Sequence, residues 1–241
     1  MKEPQAIGFS PGRCLAAECL GTAMLLAAVV GSGIMGDRLA GGSPGLALLA
    51  NTIATGAALV ALILAFGRIS GAHLNPAVTM SAASQGAMSW SEARGYVAAV
   101  VGALAGVALA NLMFDEPLFA LSEHACQGCG QLLGEFVATF GLLATIHGCS
   151  RLHSAAAVPF AVAAWITAAY WFTASTSFAN PAVTLARSLT NTFTGIRPAD
   201  VPGFVAAQLL GAAAATALFR WLVPTPAKSA DRLPARIGAR A

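Results

Sequence analysis

The string Asn-Pro-Ala-Val-Thr occurs twice, at Asn75–Thr79 and at Asn180–Thr184. Its chemistry is that of offering hydrogen bonds rather than of breaking covalent ones. Asn is a strong N-cap residue because its side-chain oxygen accepts from the first unpaired backbone N–H groups of a helix. Pro suits the first helical position, where a missing N–H costs nothing. Asn75-Pro76-Ala77 and Asn180-Pro181-Ala182 each predict a helix start whose capping amide keeps its nitrogen free to donate to a passing oxygen. Each start also carries the positive end of the helix dipole, roughly half an elementary charge. Two such ends facing each other repel a cation and welcome a neutral, oxygen-bearing molecule.

Other residues of chemical interest fit supporting parts. Glu18 and Glu135 stand inside apolar runs, where an ionisable group is expensive and needs a partner. Each lies four residues before a Thr (Thr22, Thr139), in matching contexts, AECLGTAMLL and GEFVATFGLL. That symmetry favours bracing of the Asn-Pro segments over a proton relay. Gln208 suits the same bracing role, whereas its counterpart in the other half is Ala99. His73, just before Leu74-Asn75, is placed to face the inner vestibule. His147 is read as a packed or interfacial histidine, with tuning by pH as the other reading. Cys126 and Cys129 form a single CxxC near His124. A zinc site wants four ligands and no second pair exists, so no metal and no cofactor are expected. No nucleophile–base pair or phosphate-binding loop points to an enzyme, and no basic patch interleaved with aromatics points to nucleic acid.

The elements that must position these groups are membrane spans. Of 241 residues, 57% are hydrophobic and 10% charged, against about 25% charged in soluble domains. Six segments approach the ~20 apolar residues a span needs: 14–35, 45–66, 92–114, 131–149, 156–172 and 199–222. Each Asn-Pro segment falls between spans, too apolar for a surface loop and too short to cross. Late in each half, YVAAVVGALAG echoes FVAAQLLGAAA. The order span, span, Asn-Pro segment, span thus occurs twice. Three spans per copy is odd, so the copies insert in opposite orientations, an arrangement that marks a transport path near the midplane.

The expected fold is an all-α membrane protein with six transmembrane helices, two re-entrant half-helices and an inverted repeat. Its parts are a first repeat over 1–114 with a half-helix at 75–86, and an extracellular or periplasmic connector over 115–130. A second repeat follows over 131–222 with a half-helix at 180–190, then a basic tail over 223–241. The first apolar run is read as a retained span rather than a signal peptide. Lys2, Arg13, Arg68, Arg94, Arg151, Arg220, Lys228, Arg232, Arg236 and Arg240 fall on one side, and only Arg38, Arg187 and Arg197 on the other. Positive charge stays inside, so both termini are expected in the cytoplasm. Gly102-x-x-x-Gly106 and Gly211 predict close helix crossings. Trp90, Trp165, Trp171 and Trp221 predict an interfacial belt.

SGAHLNPAVT and SFANPAVT, together with the repeat they sit in, resemble the aquaporin family, and the likeness covers nearly the whole chain. The resemblance implies a pore in every protomer, a homotetramer, and lipid and small neutral solutes as partners. It also implies an outer selectivity filter, which spacing from the two Asn residues places at Thr55, Ala168, Ser177 and Val183. This chain departs from the family there. Thr55 replaces a bulky aromatic, Ala168 is small, and Val183 stands where an arginine is usual. The departure implies a widened filter that passes glycerol-like polyols, urea-like solutes or neutral metalloid hydroxides such as arsenous acid. Arg187, one helical turn beyond Val183, has two readings: a displaced cation in the outer vestibule, or an arginine reaching headgroups or an outer carboxylate. A bacterial inner membrane is the expected location. The rival readings are an ion-coupled secondary transporter and a non-conducting structural protein on the same fold.

Overall fold

The computed structural model describes residues 8–223; the arginines at 232, 236 and 240, with Lys2 and Lys228, lie outside them. The described chain runs through α1 (Pro11–Leu39), α2 (Pro44–Ser70), α3 (Pro76–Ser84), α4 (Trp90–Gly95) and α5 (Ala98–Met113). It continues through α6 (Cys129–Leu152), α7 (Val158–Phe172), α8 (Pro181–Arg187) and α9 (Val201–Leu222). Six of the resulting helical stretches are long and apolar enough to cross a membrane: Pro11–Leu39, Pro44–Ser70, Trp90–Met113, Cys129–Leu152, Ala155–Phe172 and Pro198–Leu222. The half-helices α3 and α8 are too short to do so, as expected.

The third span is not one regular helix. It breaks between α4 and α5, where Ala99 N donates to Tyr96 O (2.9 Å) and Val100 N to Val97 O (2.9 Å), a tighter winding than the α-helix. Ser89 opens α4 with a reciprocal capping box to Glu92. At the other end of α2, Gly71 at φ +91° stops the helix with its N–H on Gly67 O. A side chain is strongly disfavoured in that left-handed conformation, and the chain can then turn into the first half-helix.

Packing repeats the sequence symmetry. α1 lies against α5 and α2, α6 lies against α9 and α7, and α2 meets α7 between the halves. Gly102 and Gly106 on α5 face the backbone of α1 at Cys19 and Ala23. On α9, Gly211 faces the backbone of α6 at Phe136. A Cβ built on Gly106 would stand 2.7 Å from Leu26 Cβ and 2.9 Å from Ala23 C, so only glycine allows the crossing. The outer surface is apolar, with Leu20, Ile53, Val101, Leu133, Phe160 and Leu210 all exposed on helices, as a hydrocarbon solvent requires. Trp90, Trp171 and Trp221 are exposed, but Trp165 departs from the predicted belt. It packs into the notch left by Gly141, and its indole N–H donates to Ala138 O (2.9 Å).

The two ends of the bundle are called inner and outer here, after the orientation that the basic residues imply. The inner end carries Arg151 and Arg220, which reach Val223 O and Ser84 O respectively. The outer end carries Arg38, paired with Glu116 at 2.8 Å, and Arg197, paired with Asp200 at 2.9 Å.

Candidate channel and its constrictions

Asn75 and Asn180 cap α3 and α8 as their sequence predicts. Asn75 Oδ1 accepts from Ala77 N (2.9 Å), and Asn180 Oδ1 accepts from Ala182 N (3.0 Å) and Val183 N (3.4 Å). Pro76 and Pro181 occupy the first helical position in each case. The nitrogens make a reciprocal tie that the sequence does not reveal. Asn75 Nδ2 donates to Ala179 O (2.8 Å), and Asn180 Nδ2 donates to Leu74 O (2.8 Å). Each capping amide thus grips the residue preceding the opposite cap, and the two half-helix starts meet head to head. One N–H of each amide is spent in that tie, which leaves one for a solute.

The tie needs unusual backbone. Leu74 and Ala179 sit at φ +48°, with Ala72, Thr176 and Ser177 also left-handed. Each such residue costs on the order of 1–3 kcal/mol and persists only when its surroundings dictate it. The buried glutamates do so. Glu18 Oε1 accepts from His73 N (2.9 Å) and Ser70 Oγ (2.6 Å), and its Oε2 accepts from Leu74 N (2.7 Å). Glu135 Oε1 accepts from Phe178 N (2.8 Å), and its Oε2 accepts from Ala179 N (2.9 Å). Gln208 Nε2 then bridges Glu135 Oε2 (2.5 Å) to Thr184 Oγ1 (2.7 Å). On the first side Ala99 offers no such bridge. There Thr79 Oγ1 instead meets His73 Nδ1 (3.1 Å), and Tyr96 OH holds Ser70 O (2.6 Å).

A cavity of about 820 Å³ runs past both Asn residues. Toward the outer end its wall includes Thr55, Ile166, Tyr170, Ser177, Val183 and Arg187; toward the inner end it includes His73, Gln85, His147 and Arg151. Leu25, Val29, Leu59, Ile63, Leu142 and Ile146 supply an apolar stretch of wall. Three of the four residues placed by spacing at the outer filter, Thr55, Ser177 and Val183, therefore line one cavity.

Ala168 does not, and its placement is corrected. The α7 residues on the cavity are Val158, Val162, Ile166 and Tyr170, four apart, whereas Ala168 is exposed on another face. Counting back from Asn180 therefore lands on a face of α7 turned away from the cavity. Tyr170 is the α7 residue on the cavity wall beside Thr55, with its hydroxyl 3.3 Å from Thr55 Oγ1. A large aromatic therefore does stand at this level, contributed by a different helix from the one expected. Ser177 Oγ is buried without a hydrogen-bond partner.

Arg187 also departs from one of its two readings. It neither reaches headgroups nor pairs with a carboxylate among the described residues; it is 4% exposed and lines the cavity. Its guanidinium lies over the Phe178 ring, 3.4 Å from the centroid, and Nε donates to Thr194 O. Phe178 in turn packs edge-on against Phe204, at 5.3 Å. The connector closes over this corner: Ala120 N donates to Leu189 O (3.0 Å) and Ser122 N to Ser188 O (3.0 Å). Cys126 is half-buried in the same connector with its amide on Asp200 Oδ2 (2.9 Å), and burial pushes its thiol pKa up. Among the described residues no cluster of His, Cys, Asp and Glu is grouped to hold a metal.

The profile of the family described as "Major intrinsic protein" matches residues 8–151 and 149–236. The chain is 59% identical over 212 residues to aquaglyceroporin AqpS of Rhizobium meliloti (strain 1021), covering 88% of this chain and 90% of that one. It is 39% identical over 100 residues to aquaporin Z of Rhodopseudomonas palustris, covering 40% of each. Its fold is like that of the aquaglyceroporin from Plasmodium falciparum, with a TM-score of 0.71 at 21% identity, over 89% of this chain and 98% of that one.

Proposed function

Since the chain belongs to the major intrinsic protein family, whose members are channels and not enzymes, we propose that it is a passive pore for small uncharged solutes. Water, glycerol-like polyols, urea-like amides and neutral metalloid hydroxides such as arsenous acid make up the class. The observation that carries this reading is the reciprocal Asn75–Asn180 tie on the wall of one long cavity. There a solute meets two N–H donors flanked by two positive helix ends, while most of the wall around it is apolar. A neutral hydroxyl replaces its water partners in single file. At the caps a cation meets donors rather than a full set of acceptors to replace its hydration shell, and it faces like charge.

The solute preference is set at the outer constriction. Thr55 and Val183 are small and leave room between α2 and α8, Tyr170 and Ser177 add hydroxyls, and Arg187 adds a cation one turn farther out. This combination gives a widened filter that admits solutes larger than water and offers them several hydrogen-bonding groups. Both termini face the cytoplasm of a bacterial inner membrane, and the apolar outer surface is covered by lipid and by three further copies in a homotetramer. Stopped-flow light scattering on proteoliposomes with water, glycerol, urea and arsenous acid tests the reading. Val183→Arg is expected to cut glycerol and urea flux while retaining more of the water flux. Glycerol flux untouched by that substitution would remove Val183 from the constriction.

A further inference from the structure

The inner mouth holds a second polar assembly, built from residues outside the family's repeated string. His147 and Arg151 are four apart on α6, hence on one face, and both line the cavity together with Gln85 and Ser150. Arg151 Nη1 donates to Phe219 O (2.7 Å) and Val223 O (2.7 Å), and Nη2 donates to Gln85 Oε1. A guanidinium has donors only, so it fixes which end of the Gln85 amide faces it. The amide nitrogen is thereby aimed at His147 Nε2 (3.2 Å) and Ser81 Oγ (3.2 Å). Gln85 Nε2 can only donate, which makes His147 Nε2 an acceptor. Ser81 Oγ also meets His147 Nε2 (3.1 Å) and Thr216 Oγ1 (2.7 Å), and Phe219 packs on the imidazole at 5.9 Å.

The Gln85 side chain is therefore held by three residues, Ser81 on α3 and His147 and Arg151 on α6, on the wall of the inner end of the cavity. Arg151 lines the cavity and takes part in neither ion pair found among the described residues. Nothing in α8 mirrors this arrangement. The outer guanidinium comes from the half-helix itself, and the residue equally far beyond Asn75 is Ala82. The inner mouth obtains its cation from a span instead, and adds an amide and an imidazole that the outer constriction lacks.

We propose that Gln85, His147 and Arg151 form a second discriminating constriction, which ranks neutral polyhydroxy solutes by bulk and hydrogen-bonding capacity after they pass the Asn pair. Gln85 and His147 contact the solute, and Arg151 is a positioning residue that holds the Gln85 amide in place on the cavity wall. The inference rests on the channel reading but not on the assignment of the outer constriction.

The test measures glycerol and erythritol fluxes into proteoliposomes for the full chain. Gln85→Ala removes the amide from the inner mouth, and the erythritol-to-glycerol ratio is expected to rise at least about threefold, the scale of one neutral hydrogen bond. Arg151→Met, which frees Gln85 without removing it, is expected to shift the ratio in the same direction. The double variant is expected to go no further than the larger single one, because both act through one side chain. Arg151 also ties α9 to α6, so if Arg151→Met does not fold, Gln85→Ala decides the question alone. A ratio within measurement error of wild type in folded Gln85→Ala protein overturns the proposal. Val183→Arg run in parallel separates the two constrictions: a response there without one at Gln85 leaves the outer assignment standing and removes the inner one. Absence of glycerol flux in the wild type instead defeats the channel reading itself.

Discussion

Removing the Glu135 carboxylate tests how the second re-entrant loop is held. In Glu135→Ala three donors lose their acceptor: Phe178 N, Ala179 N and Gln208 Nε2, now at 2.8, 2.9 and 2.5 Å from the carboxylate oxygens. Glu135 and Gln208 are fully buried, and a stranded buried donor costs about 1–3 kcal/mol, so the sum is roughly 3–9 kcal/mol. The left-handed Thr176, Ser177 and Ala179 would then be free to release strain of on the order of 1–3 kcal/mol each. Their relaxation moves Ala179 O away from Asn75 Nδ2 and opens the tie between the caps. The released strain offsets part of this loss, and opening the tie adds to it, so the expected result is a measurable drop in thermal stability in detergent, roughly 2–4 °C for each kcal/mol that remains for a chain of this size. Glycerol conductance per reconstituted copy should fall with it. Glu135→Gln keeps one acceptor oxygen and should lose less on both measures. An unchanged melting temperature and unchanged conductance in Glu135→Ala would refute the bracing argument. A proton relay predicts something else: Glu135→Gln would change the pH dependence of flux while leaving stability alone.

Three further outcomes are expected. Arg187→Ala should change the ranking of glycerol, urea and water in the liposome assay, because the guanidinium borders the cavity; identical permeability ratios would reduce it to a packing residue. Gly106→Val should destabilise the bundle by at least the roughly 1–3 kcal/mol typical of overpacking, since its Cβ meets Ala23 backbone and Leu26. Gly130→Ala, with nothing within 4 Å, should have little effect, and equal thermal stabilities for the two variants would contradict the close crossing. Burial that raises the Cys126 thiol pKa leaves less thiolate at neutral pH, so timed maleimide labelling read by mass spectrometry should modify exposed Cys129 first. Cys126 packs against the buried cluster of Phe178, Ile196 and Phe204, and faster labelling there would contradict that placement.

What the sequence disclosed and what it hid divide along a physical line. Asn75, Pro76, Asn180 and Pro181 are legible because capping is local, and the half-helices begin where those residues say. Glu18 and Glu135 are legible because the same buried carboxylate appears at the same place in both repeats. Gln208 is legible as a brace for a related reason, the contrast with Ala99. Tyr170 was hidden because the facing of α7 depends on the path of the irregular segment between Phe172 and Asn180, which no local residue type announces. Arg187 was ambiguous because helical spacing gives a face but not what the face meets; Phe178 and Thr194, brought in by the loop, decide it. The break at Tyr96–Val97 has no proline to mark it. Gln85 had a faint signal, an amide closing the first half-helix, but its partners His147 and Arg151 lie more than 60 residues away.

The most direct measurement is the glycerol flux itself, taken by stopped-flow light scattering on proteoliposomes over a range of solute concentrations, ion gradients and temperatures. An open path past Asn75 and Asn180 predicts flux well above protein-free vesicles, linear in concentration, indifferent to sodium and proton gradients, and weakly dependent on temperature. Flux equal to that of empty vesicles, or flux that saturates and follows an ion gradient, would contradict a continuous pore between the two caps.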